Sequence, residues 1–101
     1  MSLDSLTEAI RSQAALNPPL GYKVKFDLGE LGIIFWDGTG TTPEISNQDL
    51  GVADTTMAMT EEDFRDLVNG ILDPQLAYMT GKLRVEGSLG VALKLAGMMG
   101  D

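Results

Sequence analysis

The sequence predicts an α+β fold, a five-stranded and mostly antiparallel sheet with helices packed on one face. Three observations lead there. Residues 22–28 alternate strictly between apolar and charged side chains, and a glycine-bounded turn returns the chain as a second strand. Four strand-like runs follow one another in series before a fifth appears. Helical periodicity brackets these runs instead of alternating with them, which separates an α+β arrangement from a parallel, doubly wound one.

Leu3, Leu6, Ile10 and Ala14 recur every three or four residues, so 3–16 reads as an amphipathic helix ended by Asn17-Pro18-Pro19. Beyond Gly21, the side chains of Tyr22, Val24, Phe26 and Leu28 point one way and those of Lys23, Lys25 and Asp27 the other, as in a half-buried strand. Gly29-Glu30-Leu31-Gly32 makes the turn. Ile33-Ile34-Phe35-Trp36-Asp37 is apolar on both faces, so this strand is covered on both sides or lies in the middle of the sheet. A loop over 37–43 leads to a weak edge strand at Glu44–Gln48. Residues 54–59 alternate again, with Thr55, Met57 and Met59 on one face.

Thr60 is placed to cap a helix whose first turn holds Glu61, Glu62 and Asp63, acids suited to the positive end of the helix dipole. Phe64, Leu67, Val68 and Ile71 follow at helical spacing, with Gly70 ending the regular helix before Ile71. Asp73-Pro74 pairs a cap with a proline at the first helical position and opens a helix that runs to Gly81. Lys82–Glu86 is the last strand, with Leu83 and Val85 inward, and Ser88 caps the final helix to Met99. With 101 residues, 44% of them hydrophobic and 22% charged, the expectation is one globular domain over 1–101.

Composition narrows the chemistry. The chain has neither cysteine nor histidine, which removes thiolate chemistry, sulfur-based zinc sites, the usual general base and the commonest metal ligand. A net charge of −8 opposes nucleic acid as a partner and opposes adsorption to anionic lipid. It is unevenly spread: residues 1–81 hold thirteen acids and four bases, residues 82–101 two acids and three bases. No basic-then-apolar leader and no run of 18 apolar residues is present, so a cytoplasmic location is expected.

Glu61, Glu62, Asp63 and Asp66 occupy the first two turns of a helix, where dipole effects alone favour acids. Asp37-Gly38-Thr39-Gly40 lacks the alternating acids of a calcium loop and the lysine of a phosphate loop. Gly87-Ser88-Leu89-Gly90 is not a nucleophile elbow, and Ser88 is better placed as a helix cap. The expectation is therefore a protein that is not an enzyme, with no catalytic residue, metal or cofactor. The final helix stands out instead. Leu89, Val91, Ala92, Leu93, Leu95, Ala96, Met98 and Met99 surround it, and Lys94 is its one charge. Such a helix is buried deeply, packs on a partner chain, or lines a pocket of lipid size made adaptable by methionines.

The stretch Met59-Thr60-Glu61-Glu62-Asp63-Phe64, then Gly70, Asp73-Pro74 and Ala77-Tyr78-Met79-Thr80-Gly81-Lys82-Leu83-Arg84-Val85-Glu86-Gly87 through Ala92-Leu93-Lys94-Leu95, resembles the sterol carrier protein-2 family of small lipid-transfer domains. Tyr78 stands where phenylalanine is common, and Ser88 where asparagine is. The resemblance implies a hydrophobic tunnel between sheet and helices that takes sterols, acyl chains, acyl-CoA or phospholipids. It also suggests a free-standing bacterial member, since the chain ends without a peroxisomal address. On that reading Phe26, Phe35, Trp36, Met57 and Met59 of the sheet, Leu83 of the last strand, and Phe64, Val68, Met79, Leu89, Leu93 and Met98 of the helices line the tunnel. The implied activity is non-catalytic binding and transfer of fatty acyl, sterol-like or isoprenoid molecules. The alternative is an accessory protein of quinone or lipid metabolism that binds a partner through the final helix. Both leave room for transient membrane contact through that helix and for a homodimer.

Overall fold

A computed structural model describes residues 2–16 and 20–99, without the side chains of 98 and 99. The chain runs α1 (Leu3–Leu16), β1 (Lys23–Asp27), a 3-10 turn (Gly29–Leu31), β2 (Ile33–Asp37), β3 (Glu44–Ser46), β4 (Thr55–Ala58), α2 (Glu61–Val68), α3 (Pro74–Met79), β5 (Arg84–Gly87) and α4 (Leu89–Met99). The caps form as the sequence predicts. Thr60 Oγ1 accepts from the Asp63 N–H at 3.1 Å, Asp73 Oδ1 from Gln75 at 3.1 Å, and Ser88 Oγ from Val91 at 3.2 Å. Ile71 lies past the end of α2, where Gly70 takes φ +74°.

The sheet order is β3-β2-β1-β4-β5. All neighbours are antiparallel except β1 and β4, which run parallel and make the sheet mixed. Chain geometry dictates that pair. Strands β1, β2 and β3 form a meander, so β3 points the same way as β1. Residues 47–54 then carry the chain back past β2 and β1 to the far side of β1. On the way Asp49 Oδ2 accepts from Lys25 Nζ at 3.3 Å, on the face opposite Val24 and Phe26. Phe35, the ladder partner of Lys25, lies on that same face and is only 1% exposed. Strand β2 is thus flanked by strands on both edges and covered on both faces, which accounts for its unbroken apolar run.

The other face carries the core. Val24, Phe26, Ile34, Trp36 and Met57 pack under Leu6 and Ile10 of α1, Phe64 and Leu67 of α2, Ala77 of α3, and Val91, Ala92, Leu95 and Ala96 of α4. The rings of Phe26 and Phe64 tilt against each other with centroids 5.1 Å apart. Asn47 joins α1 to the sheet by donating to Thr7 Oγ1 at 2.9 Å and to the Ile33 carbonyl at 3.0 Å. Gly87, at φ +90°, brings β5 so close to the Asp54 carbonyl that a Cβ there would collide with it. The Ser88 N–H uses that closeness to donate to the same carbonyl.

Candidate functional site

The layer between sheet and helices gathers six of the expected lining residues: Phe26, Trp36, Met57, Met59, Phe64 and Leu83 all belong to one buried cluster, against which Val68 packs half-buried. Leu93 is also half-buried. The other expected residues lie elsewhere. Phe35 is buried on the opposite face of the sheet, Met79 is 80% exposed, Leu89 is exposed at the start of α4, and the side chain of Met98 falls outside the described residues. Strand alternation separates Phe35 from Trp36, since neighbours along a strand point to opposite faces.

The apolar final helix acquires a physical account. Val91, Ala92, Leu95 and Ala96 turn inward, Leu93 is half-buried, and α4 packs against α1, α2, α3, β4 and β5. Gly90, Lys94 and Gly97, at helical spacing, face solvent. Glycines thus supply most of the outer stripe where polar residues were to be expected, and the helix presents little apolar side chain outward there.

The layer holds one polar anomaly. The indole Nε1 of Trp36 is buried and has no hydrogen-bond partner. It sits by Gly38, where a Cβ would come within 3.3 Å of it and 2.7 Å of Leu20 Cβ. Buried donors are nearly always satisfied, and an unmet one costs about 1–3 kcal/mol.

Of two adjoining clefts, the larger opens at the strand ends bordering this layer and the smaller lies on the outer face of the sheet. The larger, about 440 Å³, is framed by Asp27–Leu31 after β1, Ala58–Glu61 between β4 and α2, and Arg84 at the start of β5. That volume lies within the range of about 300–1,000 Å³ usual for small-molecule sites. The smaller, about 260 Å³, shares Asp27, Ala58 and Arg84 and adds Thr56 and Glu86, all on the face of the sheet away from the helices. Among the described residues, Met59 alone of the expected lining set touches either cleft, and it shares the larger one with Leu28, another core residue. Nothing in the sequence pattern marks Leu28, Leu31 and Arg84 as lining residues, because a turn and the outer side of a strand bring them together. Farther off, the Asp37 carboxylate accepts from the side chain and the backbone N–H of Thr39, which holds its pKa below the usual value. Bonds from the Gly51 N–H and Lys25 lower that of Asp49.

This architecture, a five-stranded mixed sheet roofed by four helices over one apolar layer, is a small α+β domain. Residues 4–100 match the SCP-2 sterol transfer family, and the chain belongs to it. Among solved structures it resembles sterol carrier protein 2-like 2 of Aedes aegypti, with a TM-score of 0.78, 20% identity, and coverage of 96% of this chain and 95% of that one. The palmitated form of that Aedes aegypti protein superposes with a TM-score of 0.70 at 20% identity, covering all of this chain and 96% of that one. In sequence, 47 residues are 47% identical to hydroxysteroid dehydrogenase-like protein 2 of Danio rerio, a match spanning 46% of this chain and 11% of the zebrafish protein. The likeness therefore concerns a small part of that relative.

Proposed function

We propose that the protein binds hydrophobic lipids without catalysis, holding fatty acyl, sterol-like or isoprenoid chains between sheet and helices and passing them on. The observation that supports this most is the composition of the layer. It is closely packed, apolar and roofed by short helices, and it contains one buried donor, Trp36 Nε1, with no acceptor. An acyl chain entering it gains about 0.8 kcal/mol per methylene removed from water, which offsets the cost of parting the helices. A carboxylate or hydroxyl oxygen on the guest would satisfy the indole. The larger cleft is the entry on this reading, because shifting the flexible side chain of Met59 joins it to the core. The palmitated relative supports acyl chains as one class of guest.

Titration with a fluorescent acyl probe, competed by palmitate and cholesterol, tests the reading. Saturable binding is expected, and a guest at 100 times its Kd should add about 2.7 kcal/mol of stability. Linear, unsaturable uptake with an unchanged melting temperature would overturn it. Native mass spectrometry of the purified chain should also reveal co-purified lipid.

A further inference from the structure

The two buried hydroxyls of the molecule are both engaged. Thr7 Oγ1 donates to the Leu3 carbonyl at 2.7 Å and accepts from Asn47, and Thr55 Oγ1 donates to the Glu86 carbonyl at 3.2 Å. Among the described residues this leaves the Trp36 N–H, on a side chain 2% exposed, as the layer's unmet donor.

The surroundings of the indole decide which oxygen can meet it. In the sheet Trp36 sits between Val24 and Ile45, and Leu20 closes the space beside Gly38. The backbone carbonyls at that point are taken: Tyr22 accepts from the Gly38 N–H at 2.9 Å, and Gly38 from Gly21 at 2.8 Å. A buried water needs about two to four polar partners, and these side chains supply none. No basic side chain is buried either. Arg11, Lys82, Arg84 and Lys94 are exposed, and Arg65 on α2 is half-buried. Lys23 and Lys25 alternate onto the sheet face opposite Trp36. Arg11 reaches the Ile45 carbonyl from outside and is already paired with Glu8. A carboxylate buried with no cation beside it costs far more than one hydrogen bond returns, so an uncharged oxygen is the better match.

The larger cleft lies at the other end of the layer. Strand β1 starts at Lys23, beside Asp37, and ends at Asp27, whose following residues frame that cleft. From Tyr22 to Asp27 an extended chain covers roughly 17 Å. The charged groups at the cleft are Asp27, Glu30 and Glu61 against Arg84, so an anionic guest is opposed on entry as well.

We infer that Trp36 determines guest specificity: its N–H anchors the uncharged oxygen of an alcohol or carbonyl lipid whose chain runs along β1 toward the larger cleft, and ionised fatty acids are selected against. The inference rests on the proposed lipid carriage and names the class of guest preferred.

Displacement of the fluorescent acyl probe from the full chain by dodecane, 1-dodecanol, methyl laurate and laurate at pH 7 tests it. The single indole N–H resonance is followed by NMR alongside. 1-Dodecanol and methyl laurate should move that resonance downfield, and dodecane and laurate should not. Laurate should bind about tenfold or more weakly than 1-dodecanol. Trp36→Phe keeps an aromatic ring in place, and should weaken 1-dodecanol about two- to tenfold while sparing dodecane. An indole resonance that ignores 1-dodecanol, or that laurate moves as far, would sink the inference. It is read on the unaltered chain, so it decides even where Trp36→Phe fails to fold. If dodecane and 1-dodecanol displace the probe equally and Trp36→Phe changes neither, lipid carriage stands and this selectivity falls. If the unaltered chain binds none of them, both fall.

Discussion

Met57 and Met79 are the same residue type, both expected to line one tunnel, yet one is fully buried and the other 80% exposed. Met57 lies on the inner face of β4, paired with Phe26 on one side and Val85 on the other, and ladder geometry leaves its side chain no other direction. Met79 ends a helix of six residues, too short for periodicity to select one face. The difference teaches that in this chain strand position determines burial firmly, whereas a single helical turn does not. A hydrophobic residue on α3 is therefore available to do something other than hold the fold together.

Mutations can break or sharpen that contrast. Phe26→Ala, which empties a fully buried site against Phe64, should destabilise the protein by about 3–5 kcal/mol in urea or thermal unfolding. Asn47→Ala removes both bonds that link α1 to the sheet and should cost about 1–2 kcal/mol, measured the same way. Met79→Ser should stay within about 0.5 kcal/mol of the unaltered chain, and a loss as large as that of Phe26→Ala would erase the distinction between the two regions.

The smallest effect concerns pH. Asp37 has a folded pKa below its unfolded value, so the folded state binds fewer protons. The stability it contributes is present above the ordinary aspartate pKa near 4 and is lost as pH falls through the depressed folded value. Thr39→Ala should therefore cost slightly more stability at pH 7 than at pH 2, a difference readable in paired urea titrations.

Most of the element order was legible because it rests on local rules: period-two alternation in β1, the capping residues Thr60, Asp73 and Ser88, and the stop at Gly70. The parallel β1–β4 pair was not, because it depends on where residues 47–54 cross, and no local spacing records that path. Nor was the larger cleft, which joins three separated stretches of chain. The final helix read as greasy all round because glycine at 90 and 97 adds no polarity to a sequence pattern. In three dimensions those glycines form its outer stripe.

Trp36 is the chain's single tryptophan, and its solitary N–H makes it an optical gauge of the interior. An indole without a hydrogen-bond acceptor, out of reach of water, emits toward the blue. An arriving oxygen atom would shift that emission to longer wavelength, while an all-carbon guest would leave the colour unchanged. On the proposed function, the chain's own emission would tell a guest with a polar end from one without, with no label needed.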